Sequence, residues 1–206
     1  MLRMLLLAVF LGVFSNHSVR AGEVIFYVDV SNSMNKSAAN EFQDRRPLKT
    51  DQVVVGLVGL FENWPEADVH PRVILWNDSL VELPLYTPER LANYFRLNSL
   101  PTSGLTYLGA AMHGSAQAHC AHYIVLTDLL PKDRRSMERE VGRLLTSSFV
   151  TVFVVSHHAD ADVLAGFRRV SKAENYRVVS LEFGQEVQLL QRAVSDWYQT
   201  ACQPGM

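Results

Sequence analysis

The sequence predicts a doubly wound α/β domain: a mostly parallel, six-stranded sheet with one antiparallel edge strand and helices on both faces. Segments of strand character and segments of helical periodicity alternate along the chain with short connections, which is typical of a parallel sheet. The central strand candidates are continuous apolar runs, as expected for strands that are covered on both faces. A hairpin pattern, VILWNDSLVEL, supplies the antiparallel edge strand.

The strand candidates are apolar segments rich in β-branched and aromatic residues. The first is EVIFYVDV, and the second and third are joined by a polar turn at Asn77-Asp78-Ser79. The others, AHYIVLTD, FVTVFVVS and NYRVVSLEF, each follow a helical segment. Strands are therefore predicted at 23–30, 68–78, 79–86, 121–128, 149–156 and 175–183.

The helix candidates are segments with apolar residues three and four positions apart. In the first, Thr50 or Asp51 is available as the N-cap; in the second, Thr87 precedes Pro88, which is favoured at the first helical position. The last segment, QEVQLLQRAVSDWYQTA, is amphipathic. Helices are therefore predicted at 50–64, 87–98, 106–118, 133–147, 160–173 and 185–201.

Length and composition indicate one globular domain. The chain has 206 residues, of which 48% are hydrophobic and 19% charged, and its formal net charge is −2. This balance contains no basic excess. We therefore expect neither a nucleic-acid partner nor a membrane surface bound through Lys and Arg.

The N-terminus has the three-part pattern of a secretory signal peptide. Arg3 precedes an apolar run at 4–14, and a short polar stretch ends at Ala21. The alternatives are a core helix or a membrane anchor, but the run is short for spanning a bilayer. We expect a signal peptide at 1–21 and a domain at 22–203. The protein would be extracytoplasmic, either periplasmic or secreted, with no stable membrane span after cleavage.

The chain contains two cysteines, Cys120 and Cys202. In an oxidising compartment such a pair most simply forms one disulfide, which would join the C-terminal tail to the start of the strand at 121–128. The alternative is two unpaired thiols. His119 and His122 flank Cys120 but match no zinc motif, and we interpret them as surface or strand-entry residues.

Carboxylates and hydroxyls occupy the carboxyl ends of two predicted strands. The first strand runs into DVSNS, which continues its two-residue period, another ends at Asp128, and a loop between them brings Thr106 to a helix start. Ligands of doubly wound sheets bind at this edge, where the strand order reverses. We expect Asp29, Ser31, Ser33, Thr106 and Asp128 to converge there. Such hard oxygen ligands suit a divalent cation, with Mg²⁺ as the main expectation and Mn²⁺ or Ca²⁺ as alternatives.

This set resembles the metal-ion-dependent adhesion site of the von Willebrand factor type A domain, also called the integrin I-domain fold. The family pattern D-x-S-x-S matches Asp29, Ser31 and Ser33, its threonine matches Thr106 in TYLGAAM, and its later aspartate matches Asp128 in YIVLTDLLP. The resemblance implies that the serines bind the cation directly. Both aspartates would hold it directly or through water, and the threonine would switch between the two modes. It also implies a protein partner whose Glu or Asp completes the coordination, and no enzymatic activity.

The chain departs from the family pattern at Leu129, because the family usually has glycine after the second aspartate. The polar loop at 35–48 is a candidate surface for reading the partner, or simply a solvated loop. We interpret His157 and His158 as exposed and Asp160 as a helix cap.

Two other functions stay open. One is a structural or assembly subunit of an envelope or surface complex that uses the fold without metal. The other is a metal-dependent hydrolase on the same sheet. The sequence contains neither the nucleophile elbow G-x-S-x-G nor the phosphate-binding loop G-x-x-x-x-G-K-[ST], which disfavours two common kinds of enzyme on such sheets.

Overall fold

A computed structural model describes residues 22–35, 48–113, 120–155 and 161–201 of the chain. Within these ranges the chain forms six strands and six α-helices, in the predicted alternation. None of the helices there is both long and apolar enough to cross a membrane.

The observed elements differ from the predicted ones mainly at their ends. The strands are β1 (Glu23–Asp29), β2 (His70–Trp76), β3 (Leu80–Glu82), β4 (Ala121–Thr127), β5 (Phe149–Val155) and β6 (Tyr176–Leu181). The helices are α1 (Lys49–Glu62), α2 (Pro88–Leu97), α3 (Leu108–Met112), α4 (Arg134–Leu144), α5 (Ala161–Arg168) and α6 (Glu186–Ala201).

The strands of the described residues form one sheet in the order β3-β2-β1-β4-β5-β6. β1 pairs in parallel with β2 on one side and with β4 on the other. The pairs β4–β5 and β5–β6 are also parallel, and β3 pairs antiparallel with β2. The predicted doubly wound sheet with one antiparallel edge strand is therefore confirmed.

Successive apolar side chains of β1 point to opposite faces of the sheet and so belong to two separate core layers. Val24, Phe26 and Val28 pack with apolar residues of α1, α2 and α6, whereas Ile25 and Tyr27 pack with those of α3, α4 and α5. All five side chains are at most 2% exposed. The continuous apolar run of β1 is thus explained by helices on both faces of the sheet.

The segment after β1 is not the extended strand end that the alternation predicted. The strand ends at Asp29, and the residues Asn32–Asn35 form a 3₁₀ turn. The amide of Ser31 donates a hydrogen bond to the Asp29 carboxylate at 2.8 Å, which bends the chain away from the sheet. Met34 in the turn is 0% exposed, so its burial holds the turn against the core.

The start of α1 also corrects the sequence prediction. The N-cap residue is Leu48, so neither Thr50 nor Asp51 has that role. The Asp51 carboxylate instead accepts a hydrogen bond from the Leu48 amide at 3.2 Å, from within the first turn. As a result, Lys49 becomes the first residue of the helix.

Several predictions concern residues outside the described ranges. They are the signal peptide at 1–21, the polar loop at 35–48 except its two end residues, His119, Cys202 of the expected disulfide, the histidines His157 and His158, and the cap Asp160. The disulfide between Cys120 and Cys202 and the domain limits therefore stay predictions.

Gly109 allows α3 to approach α4 closely, next to the loop that carries Thr106. A Cβ atom at this position would lie 2.6 Å from the carbonyl carbon of Ser136 and closer still to the amide of Met137. Both are backbone atoms of α4 and cannot rotate away. We expect Gly109→Ala to lower the free energy of unfolding by about 1–3 kcal/mol, measured by urea denaturation.

Gly142 is the matched control, because it lies in α4 and no atom would come within 4 Å of an added Cβ. Gly142→Ala should leave stability unchanged or raise it by up to about 1 kcal/mol, since alanine favours a helix. Equal effects of the two substitutions would show that α3 does not pack as described.

His122 is the second residue of β4 and is buried, so a surface position is wrong, whereas the strand-entry position expected from the sequence is confirmed. Its Nε2 is 2.8 Å from the Thr151 hydroxyl, and its ring contacts that of Trp197, with 5.5 Å between centroids. Burial lowers the pKa of His122 from 6.5 to about 3, and the positive charge of Arg177 contributes in the same direction.

The buried imidazole makes stability fall in acid. Between pH 6.5 and about 3 the unfolded chain binds a proton at His122 that the folded chain does not bind. This group should therefore lower the free energy of unfolding by up to about 1.4 kcal/mol per pH unit as the pH falls through that range. Urea denaturation at several pH values should show a shallower acid slope for His122→Gln than for the wild type. His70→Gln, at an exposed ring, should keep the wild-type slope; identical slopes for His122→Gln and the wild type would contradict the prediction.

Candidate metal centre

The candidate ligands lie at the carboxyl edge of the sheet, between β1 and β4. The strand order reverses here, because the chain leads from β1 to β2 on one side and later to β4 on the other. Such a reversal leaves a crevice outside the carboxyl ends of the two strands. Asp29 is the last residue of β1, and Asp128 directly follows the end of β4.

Asp29 forms the buried base of the site and is 0% exposed. Its Oδ1 accepts a hydrogen bond from the Ser31 amide at 2.8 Å, and its Oδ2 accepts one from the Thr127 hydroxyl at 2.6 Å. Burial raises the pKa of Asp29 to about 6, although both hydrogen bonds lower it; the Asp128 carboxylate adds to the rise. Asp29 thus has a partner on each oxygen and links β1 to β4.

Ser31, Ser33 and Asp128 continue the site toward the surface. The two serine hydroxyl oxygens are 3.0 Å apart, and the Ser33 hydroxyl donates to Asp128 Oδ1 at 2.8 Å. Ser31 and Asp128 are buried, whereas Ser33 is only partly so. With Asp29 below them, four of the predicted ligands form one continuous hydrogen-bonded group.

Thr106 is placed beside this group by backbone hydrogen bonds. The Ser103 amide in the same loop donates to the carbonyl of Val30 at 2.8 Å, which ties the loop to the end of β1. The Lys132 amide donates to the Thr106 carbonyl at 2.9 Å, which ties the loop to the segment after β4. Thr106 itself is 6% exposed. All five predicted residues are therefore at one edge of the sheet.

Sequence reasoning missed Thr127, whose hydroxyl donates to Asp29. The alternation of side chains within β4 could have indicated this contact. Thr127 lies on the same face of the sheet as Tyr123 and Val125, and the core layer on that face also contains Tyr27 of β1. Asp29 shares that face with Tyr27. The contact follows from the pairing of β1 with β4, which the sequence alone does not reveal.

Lys49 is the second residue that sequence reasoning missed. Its ammonium forms an ion pair with Asp128 Oδ2, the carboxylate oxygen that Ser33 does not contact. The Lys49 side chain is 16% exposed and that of Asp128 is 0% exposed. A cation in the first turn of a helix is disfavoured by the helix dipole, so the carboxylate accounts for the position of this side chain. With the start of α1 known, a lysine in the first turn of the helix would have indicated a nearby carboxylate.

The donor set fits a hard cation that keeps several waters. Within the described ranges, no group of three or more His, Cys, Asp or Glu side chains could hold a metal ion. A cation at this edge would therefore depend on hydroxyl and water oxygens in addition to carboxylate oxygens. Hydroxyl, carboxylate and water oxygens are the ligands of Mg²⁺ and Mn²⁺, which suits the set.

Leu129, where the domains that the sequence resembles usually have glycine, lies in the backbone without strain. Among the described non-glycine residues, only Cys120 has a positive φ, so the backbone at Leu129 is accessible to any residue. The Thr127 hydroxyl, which donates its proton to Asp29 at 2.6 Å, also lies 3.2 Å from the Leu129 carbonyl oxygen. Asp128 thus lies at the site although leucine follows it, and the Leu129 side chain is 43% exposed.

No protein-family model matches the chain, and no curated protein sequence matches it. Solved structures do match its fold. The D319A mutant of the PilB minor pilin from Streptococcus sanguinis is 12% identical with a TM-score of 0.67; the match covers 88% of this chain and 63% of the pilin. This chain thus spans less than two thirds of the pilin's length.

Two further solved structures with this fold are a von Willebrand factor type A protein and a manganese-loaded protein. The von Willebrand factor type A protein from Catenulispora acidiphila is 12% identical with a TM-score of 0.63, over 85% of this chain and 42% of that one. The manganese-loaded TRAP protein of Plasmodium vivax is 13% identical with a TM-score of 0.59, over 87% of this chain and 74% of that one. Likeness at these identities establishes the fold alone: the chain has the fold of von Willebrand factor type A domains.

Proposed function

We propose that this chain is an exported protein-interaction module that binds a divalent cation between β1 and β4 and thereby holds an acidic residue of a protein partner. The observation that carries the proposal is the continuous group of carboxylate and hydroxyl oxygens at Asp29, Ser31, Ser33 and Asp128. The fold supports it, because one structure of the same fold is loaded with manganese. The signal-peptide pattern at 1–21 supports export.

The residues have different roles in this proposal. The hydroxyls of Ser31 and Ser33 contact the cation directly, and Thr106 and Asp128 hold it directly or through water. Asp29, whose oxygens are both engaged, orients the turn and adds negative charge beneath the site. When bound, the cation supplies a positive centre that a partner carboxylate can contact. The proposed module carries out no covalent step.

Two half-exposed leucines border the site and support a protein as the partner. Leu105 precedes Thr106 and Leu129 follows Asp128, and each leucine is 43% exposed. Apolar side chains around a polar centre are a common arrangement at protein interfaces, where they exclude water from the central contact. The partner surface would thus present an acidic side chain with apolar neighbours.

One observation favours a second candidate, an assembly subunit of an envelope or surface complex that needs no metal. The ion pair of Lys49 with Asp128 already balances the charge of that buried carboxylate. With the Asp128 charge neutralised by Lys49, the folded chain needs no bound cation to be stable. The two candidates differ in whether a divalent cation stabilises the folded chain.

Thermal melting of the purified chain with Mg²⁺ or Mn²⁺ and with EDTA tests the proposal. A cation that binds only the folded state stabilises it by about 2.7 kcal/mol at one hundred times its Kd, so the melting temperature should rise and EDTA should reverse the rise. Ser33→Ala should abolish most of the rise. Ser33 is preferable to Asp29 because Asp29→Ala would leave the buried Thr127 hydroxyl and Ser31 amide without their partner.

Ser99→Ala is the matched control, since Ser99 is an exposed serine outside the proposed ligand set. It should respond to the cation as the wild type does. If neither Mg²⁺ nor Mn²⁺ changes the melting temperature of the wild type, metal binding is rejected and the metal-free assembly subunit is favoured. A protein captured by the wild type in Mg²⁺, released by EDTA and not captured by Ser33→Ala would identify the partner.

A further inference from the structure

Lys49 contacts the candidate cation site from a helix whose first turn is firmly anchored. Gln52 in that turn donates from Nε2 to the carbonyl of Leu181 in β6 at 2.7 Å, and this contact is buried. Thr50 is buried as well, at 7% exposure. The body of α1 packs into the core through Val53, among others. The backbone of Lys49 is thus fixed at the sheet edge, and only its side chain is free to move.

We propose that Lys49 is a built-in competitor for the cation: its ammonium must leave Asp128 before a divalent cation binds there. The inference rests on the proposed function, because it assumes that the site takes a cation. Asp128 accepts from Ser33 on Oδ1 and is paired with Lys49 on Oδ2, so both of its oxygens are engaged. A divalent cation and an ammonium on one buried carboxylate would repel each other strongly.

The exchange needs no movement of the fold. The four-carbon stem of lysine rotates freely, and its ammonium is a compact charge that water solvates well. The Lys49 side chain is already 16% exposed, and Ser33, which contacts the other oxygen of Asp128, is only partly buried, so the ammonium has a route to solvent. Leaving Asp128 also removes the ammonium from the first turn of α1, where the helix dipole disfavours it.

This competition sets a threshold for the cation. At low cation concentration Lys49 balances the charge of Asp128 and the site is closed. At higher concentration the cation replaces the ammonium, and the centre for a partner carboxylate forms. Lys49 therefore weakens cation affinity and makes occupancy depend on the cation supply of the compartment.

Calorimetric titration of the purified chain with MnCl₂ tests the inference. Lys49→Met removes the ammonium and keeps an unbranched apolar stem, so we expect Mn²⁺ to bind it at least about tenfold more tightly than the wild type. Lys132→Met is the matched control. Lys132 is an exposed lysine in the segment after Asp128, and its loss removes the same charge without breaking the ion pair. It should change the Kd by less than about twofold, because exposed charges are screened.

The outcomes separate this inference from the proposed function. Equal Kd values for the wild type and Lys49→Met would overturn the competition and leave cation binding intact. Absence of Mn²⁺ binding in both would overturn the two together. Should Lys49→Met fail to fold, ¹³C spectra of the wild-type lysine Cε atoms decide. Saturation with Mg²⁺ should shift the Lys49 signal and leave the Lys132 signal in place, whereas an unmoved Lys49 signal under bound Mg²⁺ would overturn the competition.

Discussion

The buried carboxylate of Asp29 is the constraint on which the rest of the site depends. A carboxylate removed from water is costly unless its oxygens are hydrogen-bonded. The Ser31 amide satisfies one oxygen by turning the chain directly after β1, and the Thr127 hydroxyl satisfies the other from β4. The turn places Ser33 within 2.8 Å of Asp128. The positions of Ser33 and Asp128, the outer candidate ligands, thus follow from the hydrogen bonds that the buried Asp29 carboxylate accepts.

The site therefore has an inner part that joins two strands and an outer part whose contacts are able to change. The inner part, Asp29 with Thr127, holds two central strands together and has little freedom to change partners. The outer part consists of Ser33, Asp128 and Lys49, where a partly exposed hydroxyl and a flexible ammonium share one carboxylate. Breaking a buried ion pair is costly unless another charge replaces the one that leaves. In the proposed function a divalent cation would be such a replacement, and it would bring the extra positive charge that a partner carboxylate contacts.

The sequence predicted the sheet well, because buried parallel strands such as β4 leave long apolar runs and helices leave a three-to-four-residue period. The meeting of the candidate residues at one sheet edge was also predictable, since Asp29 ends β1 and Asp128 directly follows β4. Thr106 lies two residues before α3, not at the helix start that the sequence predicted. The role of these residues as ligands stays a prediction. Lys49 was not predictable, because its role depends on where α1 begins and on the reach of a long side chain. The 3₁₀ turn after Asp29 was missed because it depends on a side-chain hydrogen bond and on the burial of Met34.

The most direct measurement of the central claim is a crystal structure of the chain grown with Mn²⁺, with anomalous scattering recorded at the manganese edge. An anomalous peak about 2.0–2.2 Å from the hydroxyls of Ser31 and Ser33, with the Lys49 ammonium turned away from Asp128, is the predicted result. No peak at this edge of the sheet, with Lys49 still paired to Asp128 in saturating Mn²⁺, would contradict it.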